Sequence, residues 1–145
     1  MMEQNKPLDG QLMYLDLNKV TVYGWERKKS DLVIDSLVKA IENGEDLPAT
    51  RVRQINKKSY ELISHDGGHN RTVACYITNT PLKVILTPED EVMKYGRGWV
   101  GWDYKKYPRI NIKDIIIKDD EGELEIIRDR PLSKERLIES IIPND

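Results

Sequence analysis

Two adjacent glycines, Gly67 and Gly68, separate two apolar runs of different character. Ahead of them "SYELISH" has the composition of a strand. After them "RTVACYITN" has that of a helix, ending at Asn79-Thr80 before Pro81. A chain that passes from extended to helical backbone through a glycine pair must turn sharply there. The fold is therefore expected to carry a strand–turn–helix unit centred on "SHDGGHNR".

The flanking segments extend this pattern. "SDLVIDSLVKAIENG" predicts a helix over 31–43. Ser30 or Asp31 caps it, Val33, Ile34, Leu37, Val38 and Ile41 share a face, and Asn43-Gly44 is a stop signal. The spacing predicts antiparallel strands over 50–56 and 59–64, joined by a turn at Asn56-Lys57-Lys58, and a helix over 71–79. "QLMYLDLNKVTVYGW" reads as an opening strand and "LKVILT" as a short buried one. The order to residue 87 is β-α-β-β-α-β, an α/β (α+β) core over 11–87 within one domain of 145 residues.

The remainder, 88–145, reads as an extension packed on that core. Residues 92–109 hold five of the ten aromatics and five basic residues against one acid, interrupted by three glycines, and predict a loop. "RINIKDIIIKDDEGELEIIRDR" predicts a β-hairpin around Asp-Asp-Glu-Gly, and "SKERLIESII" a C-terminal helix.

Composition narrows the function classes. Charged residues make up 33% and apolar residues 39%, with a net charge of -2, so no global field favours nucleic acid, although a local patch still can. No apolar run reaches the ~20 residues of a membrane span, and the N-terminus lacks the layout of a secretory signal. A single cysteine, Cys75, leaves no internal disulfide, and a cytoplasmic setting is the default expectation.

Three chemistries compete for the glycine turn. A helix start offers unpaired N–H groups and partial positive charge, and glycines let successive amides converge on an anion. Gly67, Gly68, His69, Asn70, Arg71 and Thr72 thus form a candidate phosphate cradle, with Arg71 as the bidentate cation. On that reading Arg71→Ala weakens a phosphate ligand without unfolding the domain. The competing structural reading is a plain turn with Asn70 as helix cap. A metal site built from His65, Asp66, His69 and Cys75 lacks any recognised ligand spacing, so no metal is expected. Cys75 lies among Val73, Ala74, Tyr76 and Ile77 and reads as a quiet core residue.

The blocks "YLDLNKV", "SLVKAIENGEDLPATRV" and "YELISHDGGHNRTVACYITNTPLKVIL" together resemble the ParB/sulfiredoxin-like superfamily, including its ParB-like nuclease domains. The resemblance covers 11–87 and implies a phosphate-binding Gly-x-x-Arg motif at a helix start. Sulfiredoxins carry Gly-Gly-Cys-His-Arg; His69 stands at the cysteine position here, so sulfinic-acid reduction is not expected. The ADP-dependent serine kinases and many ParB-like nucleases of the superfamily carry Asp-Gly-His-x-Arg. Gly68, His69 and Arg71 fit that form, while Gly67 takes the aspartate position and Asp66 lies one residue early.

The resemblance implies catalytic roles for His69 and Asp66, and for Glu26 by analogy with an acid that acts as base in those kinases. It implies a nucleotide (ATP, ADP or CTP) with Mg²⁺ rather than an intrinsic cofactor. Arg51 and Arg53 alternate along one strand and reinforce the anion site if their face borders the turn. Trp99 and Trp102 either stack a base or pack over the sheet. The expected function is binding of a nucleotide or nucleic-acid phosphate at the turn, with nuclease, nucleotidase or phosphotransferase activity implied. The alternative is a non-enzymatic DNA- or protein-binding module of plasmid or phage type.

Overall fold

A computed structural model describes residues 10–26, 28–64, 66–92, 105–106, 108–118 and 124–126. Six strands form a mixed sheet in the order β1-β6-β4-β5-β2-β7, and three more form a small sheet, β3-β8-β9. The strands of the large sheet are β1 (Gln11–Leu15), β2 (Thr21–Gly24), β4 (Thr50–Asn56), β5 (Ser59–Leu62), β6 (Leu82–Leu86) and β7 (Ile110–Asn111). Those of the small sheet are β3 (Lys28–Ser30), β8 (Ile116–Lys118) and β9 (Leu124–Ile126). The helices are α1 (Asp31–Glu42), α2 (Gly68–Thr78) and the single turn α3 (Glu89–Val92).

The expected antiparallel pair is present as β4–β5, with an irregularity between Gln54 and Asn56. Asn56 Oδ1 accepts the Lys58 amide at 3.0 Å, which closes the hairpin turn. Helix α1 falls where its periodicity places it. Ser30 Oγ caps it by accepting from Leu32 N, and Gly44 at φ +81° follows its C-cap, Asn43. Ile34 and Val38 are fully buried, whereas Val33 is 45% exposed and lies at the rim of the apolar stripe.

The opening segment is not one strand. Asp16 Oδ1 accepts the Asn18 amide at 2.9 Å, and the Asp16 carbonyl accepts from Lys19 and Val20. This turn sends β1 and β2 to different parts of the sheet, one antiparallel to β6 and the other parallel to β5. The charged stretch after Glu26 forms a short strand, because β3 pairs in parallel with β8. The hairpin strands β8 and β9 are antiparallel as expected. Their turn, most of the aromatic loop and the C-terminal helix lie outside the described residues.

The cross-strand registers separate the two sheet faces. Met13, Leu15, Leu82, Val84, Leu86, Thr50, Val52, Leu62, Tyr60 and Val22 share one face. Most of that face is buried with Ile34 and Val38 of α1 and Val73, Ala74 and Ile77 of α2 in a single core. The opposite face carries Leu12, Tyr14, Lys83, Ile85, Arg51, Arg53, Glu61 and Tyr23. No described helix is long and apolar enough to cross a membrane.

Candidate functional site

The two glycines of the turn do different work. Gly67 takes the left-handed conformation, φ 81° and ψ 15°, and is the N-cap of α2. Gly68 has no positive φ; it is small because a Cβ there would collide with Thr50 Oγ1 and stand 3.1 Å from Asp66 Oδ1. Asp66 organises the turn from within. Its Oδ1 accepts from Thr50 Oγ1 at 2.8 Å and from Gly68 N at 3.1 Å, and its Oδ2 accepts from Ser64 Oγ at 2.8 Å. The first helix amide is therefore met by an acid of the chain itself, at the helix end that favours negative charge. Asn70 is not the cap; its Oδ1 is buried without a hydrogen-bond partner among the described residues.

Arg71 does not spread over the amides as the cradle reading expects. Its Nη1 donates to the Asp66 carbonyl at 2.7 Å and its Nη2 to the Ala49 carbonyl at 3.4 Å, with Asp66 Oδ1 also at 3.4 Å. Helical side chains lean toward the N-terminus, and here that direction meets two carbonyls and a carboxylate. The side chain is 11% exposed, so Arg71 is part of the packed structure. Thr72 is fully buried and its hydroxyl donates back to the Gly68 carbonyl at 2.6 Å. Both residues hold the turn from the inside.

His69 points to the other side of α2, toward the end of β2. Its Nε2 accepts from Trp25 N at 2.9 Å and Glu26 N at 3.4 Å. These donors require an unprotonated Nε2, which places the proton of the neutral ring on Nδ1, 3.5 Å from Glu26 Oε1. The Trp25 ring stands edge-on to the imidazole, centroids 4.4 Å apart and planes at 86°. Gly24 lies against it so closely that a Cβ would overlap Nε2. His69 was expected as a phosphate donor; instead its Nε2 accepts from main-chain amides.

Glu26 completes this arrangement. Its Oε1 accepts from Lys29 Nζ at 2.7 Å while facing His69 Nδ1. Trp25, Glu26, Lys29, Ser64, Gly67 and His69 line one cleft of about 220 Å³. The Glu26 side chain is 39% exposed within it, flanked by a cation and an imidazole. Such a carboxylate can take a proton from a ligand hydroxyl or water. Sequence reasoning singled out Glu26 and His69 but missed Lys29 and Ser64. Gly24 beside Trp25 was the available signal that something packs closely against the end of β2.

Arg51 and Arg53 lie on the sheet face opposite Thr50, away from the turn. Arg53 Nε meets Glu61 Oε1 at 2.9 Å, and Arg109 Nε meets Glu61 Oε2 at 3.2 Å, so a fully buried acid is held between two arginines. Arg51 Nη1 donates to Thr87 Oγ1 at 3.5 Å. Cys75 is buried, and burial pushes its thiol up to about 11 despite the opposing influence of Arg71. Among the described residues no three His, Cys, Asp or Glu side chains converge as metal ligands. His65, Trp99 and Trp102 lie outside the described residues.

Comparison with known proteins finds no matching family model, no matching curated protein and no matching solved structure.

Proposed function

We propose that the cleft between the end of β2 and the start of α2 binds a phosphate group of a nucleotide or nucleic acid. In this reading Lys29 holds the phosphate beside the start of α2, and Glu26 serves as general base for phosphoryl or phosphodiester transfer. The observation that carries the reading is the shared cleft: Glu26, Lys29, Gly67 and His69 line the same space. Phosphoryl transfer depends mainly on positioning and electrostatic stabilisation, to which the fixed Lys29 cation contributes. The resemblance to ParB/sulfiredoxin-like domains supports the same ligand class and suggests Mg²⁺ arriving with a nucleotide.

The cleft supports one phosphate better than a triphosphate. Lys29 is the cation among its described lining residues, and Arg71 is turned away. A backbone phosphate of DNA fits this as well as a terminal nucleotide phosphate does, and that keeps the non-enzymatic binding module as a second reading. Calorimetric titration with inorganic phosphate, nucleotides with and without Mg²⁺, and short single- and double-stranded DNA tests both. Loss of a charge-assisted contact corresponds to about ten- to a hundredfold in affinity, the weakening expected for Lys29→Met. Glu26→Gln should retain binding and lose turnover. Binding without turnover in the wild type selects the second reading. Absence of binding to every ligand in the series overturns both.

A further inference from the structure

Among the described residues, the edge strands of the two sheets are not alike. β7 is two residues long, β3 begins with two lysines, and β9 is three residues with Glu125 at its centre. Shortness and charge are the usual means by which an edge avoids pairing with another chain. β1, "QLMYL", is five residues long and carries neither charge nor proline, in a chain of which 33% is charged. Among the described residues its one strand neighbour is β6. Leu12 and Tyr14, on the face away from the helices, are 52% and 59% exposed.

We propose that β1 is a self-association edge, pairing antiparallel with β1 of a second copy about a two-fold axis through Met13. The sequence of the strand is complementary to itself in that register. Met13 opposes Met13, Gln11 opposes Leu15, and Leu12 opposes Tyr14 twice, so the exposed apolar side chains of each copy cover those of the other. Directly opposed aliphatic and aromatic side chains are favourable cross-strand pairs. A two-fold axis closes the assembly at two copies and joins the six-stranded sheets into one of twelve. The neighbouring cation does not repel a second copy, because Lys83, the register partner of Tyr14, is held by Asp46 at 2.6 Å. A second copy, rather than an unrelated peptide, is the occupant because the exposed pair on one strand is matched by its own reverse.

Sedimentation equilibrium of the full chain tests this directly. The weight-average mass should rise from 16.9 kDa toward twice that value with concentration. Leu12→Glu should weaken dimerisation at least tenfold. Leu12→Glu combined with Tyr14→Lys should restore it, since each introduced carboxylate then opposes an introduced ammonium. Met13→Cys should form an intermolecular disulfide with oxidised glutathione, because opposed residues in an antiparallel pair have Cα atoms within about 5.5 Å. Gln11→Cys should not, being four positions out of register with itself. A wild-type protein that stays monomeric at every concentration, or a Gln11→Cys chain that cross-links as readily as Met13→Cys, overturns the proposal. If Met13→Cys fails to fold, failure of the double charge variant to restore dimers lost in Leu12→Glu overturns it equally.

Discussion

The imidazole of His69 accepts the main-chain N–H of Trp25 at 2.9 Å, joining residues 44 positions apart in the chain. This contact fixes the end of β2 against the start of α2, and Glu26 takes its place in the cleft as a result. Removing the ring takes the His69 acceptor away from the part-buried Trp25 amide and leaves a void beside Gly24. His69→Ala should therefore cost about 2–4 kcal/mol. Gly24→Ala should be comparably damaging, because its methyl group would overlap the imidazole. Urea denaturation of the three proteins measures both effects.

Arg71→Ala should act on stability more than on ligand affinity. The guanidinium meets two carbonyls and the Asp66 carboxylate at low exposure, and its loss should cost about 2–3 kcal/mol. Arg71→Lys should recover only part of this, since one ammonium cannot span both carbonyls as the planar fork does. Denaturation midpoints together with phosphate titration of the folded variants separate the two effects. A fully stable Arg71→Ala protein with lost phosphate binding would restore the cradle reading.

The glycine pair should respond unequally to alanine. Gly67→Ala strains a left-handed residue and should cost about 1–2 kcal/mol. Gly68→Ala should cost more, because its methyl group meets Thr50. Adding Thr50→Ala to Gly68→Ala should recover part of the loss, a non-additive result expected for groups in contact. A double-mutant cycle by thermal or urea unfolding provides the measurement.

Cys75 should make stability fall at alkaline pH. Its thiol is raised from about 9 in the unfolded chain to about 11 in the fold. Between these values the unfolded chain has lost the proton and the folded one keeps it, so unfolding becomes easier as pH rises. The stabilising effect is complete below pH 9 and lost above 11, amounting to about 2–3 kcal/mol. Cys75→Ala should lack this dependence, and the difference between the two proteins' pH profiles isolates it from other groups. Thiol labelling of the native protein at neutral pH should be slow.

Much of the framework was legible because it rests on local patterns. The periodicity around Ile34 and Val38 marked α1, the alternation around Val52 marked β4, and the glycine pair marked the turn before α2. The opening strand was misread because Asp16 bonds to its own chain two residues on, within a run whose apolar content continues on both sides. The site was less legible because its contacts join distant segments. Nothing near Arg71 in sequence announces the Ala49 carbonyl, and nothing near His69 announces the Trp25 amide. Arg51 and Arg53 were correctly placed on one face, but which face borders the turn depends on sheet registers that the strand alone does not specify.

The alternation along β4 also sets where this chain can tolerate changes of length. Thr50 and Val52 face the helices, while Arg51 and Arg53 face away, and the Thr50 hydroxyl ties β4 to Asp66. Inserting or deleting one residue inside β4 would act like a frameshift within the sheet. Arginines would be driven into the core, Val52 out to solvent, and the turn would lose its anchor. The stretch 44–48 between α1 and β4 carries no such parity, so length variation among homologues should collect there and stop at Thr50.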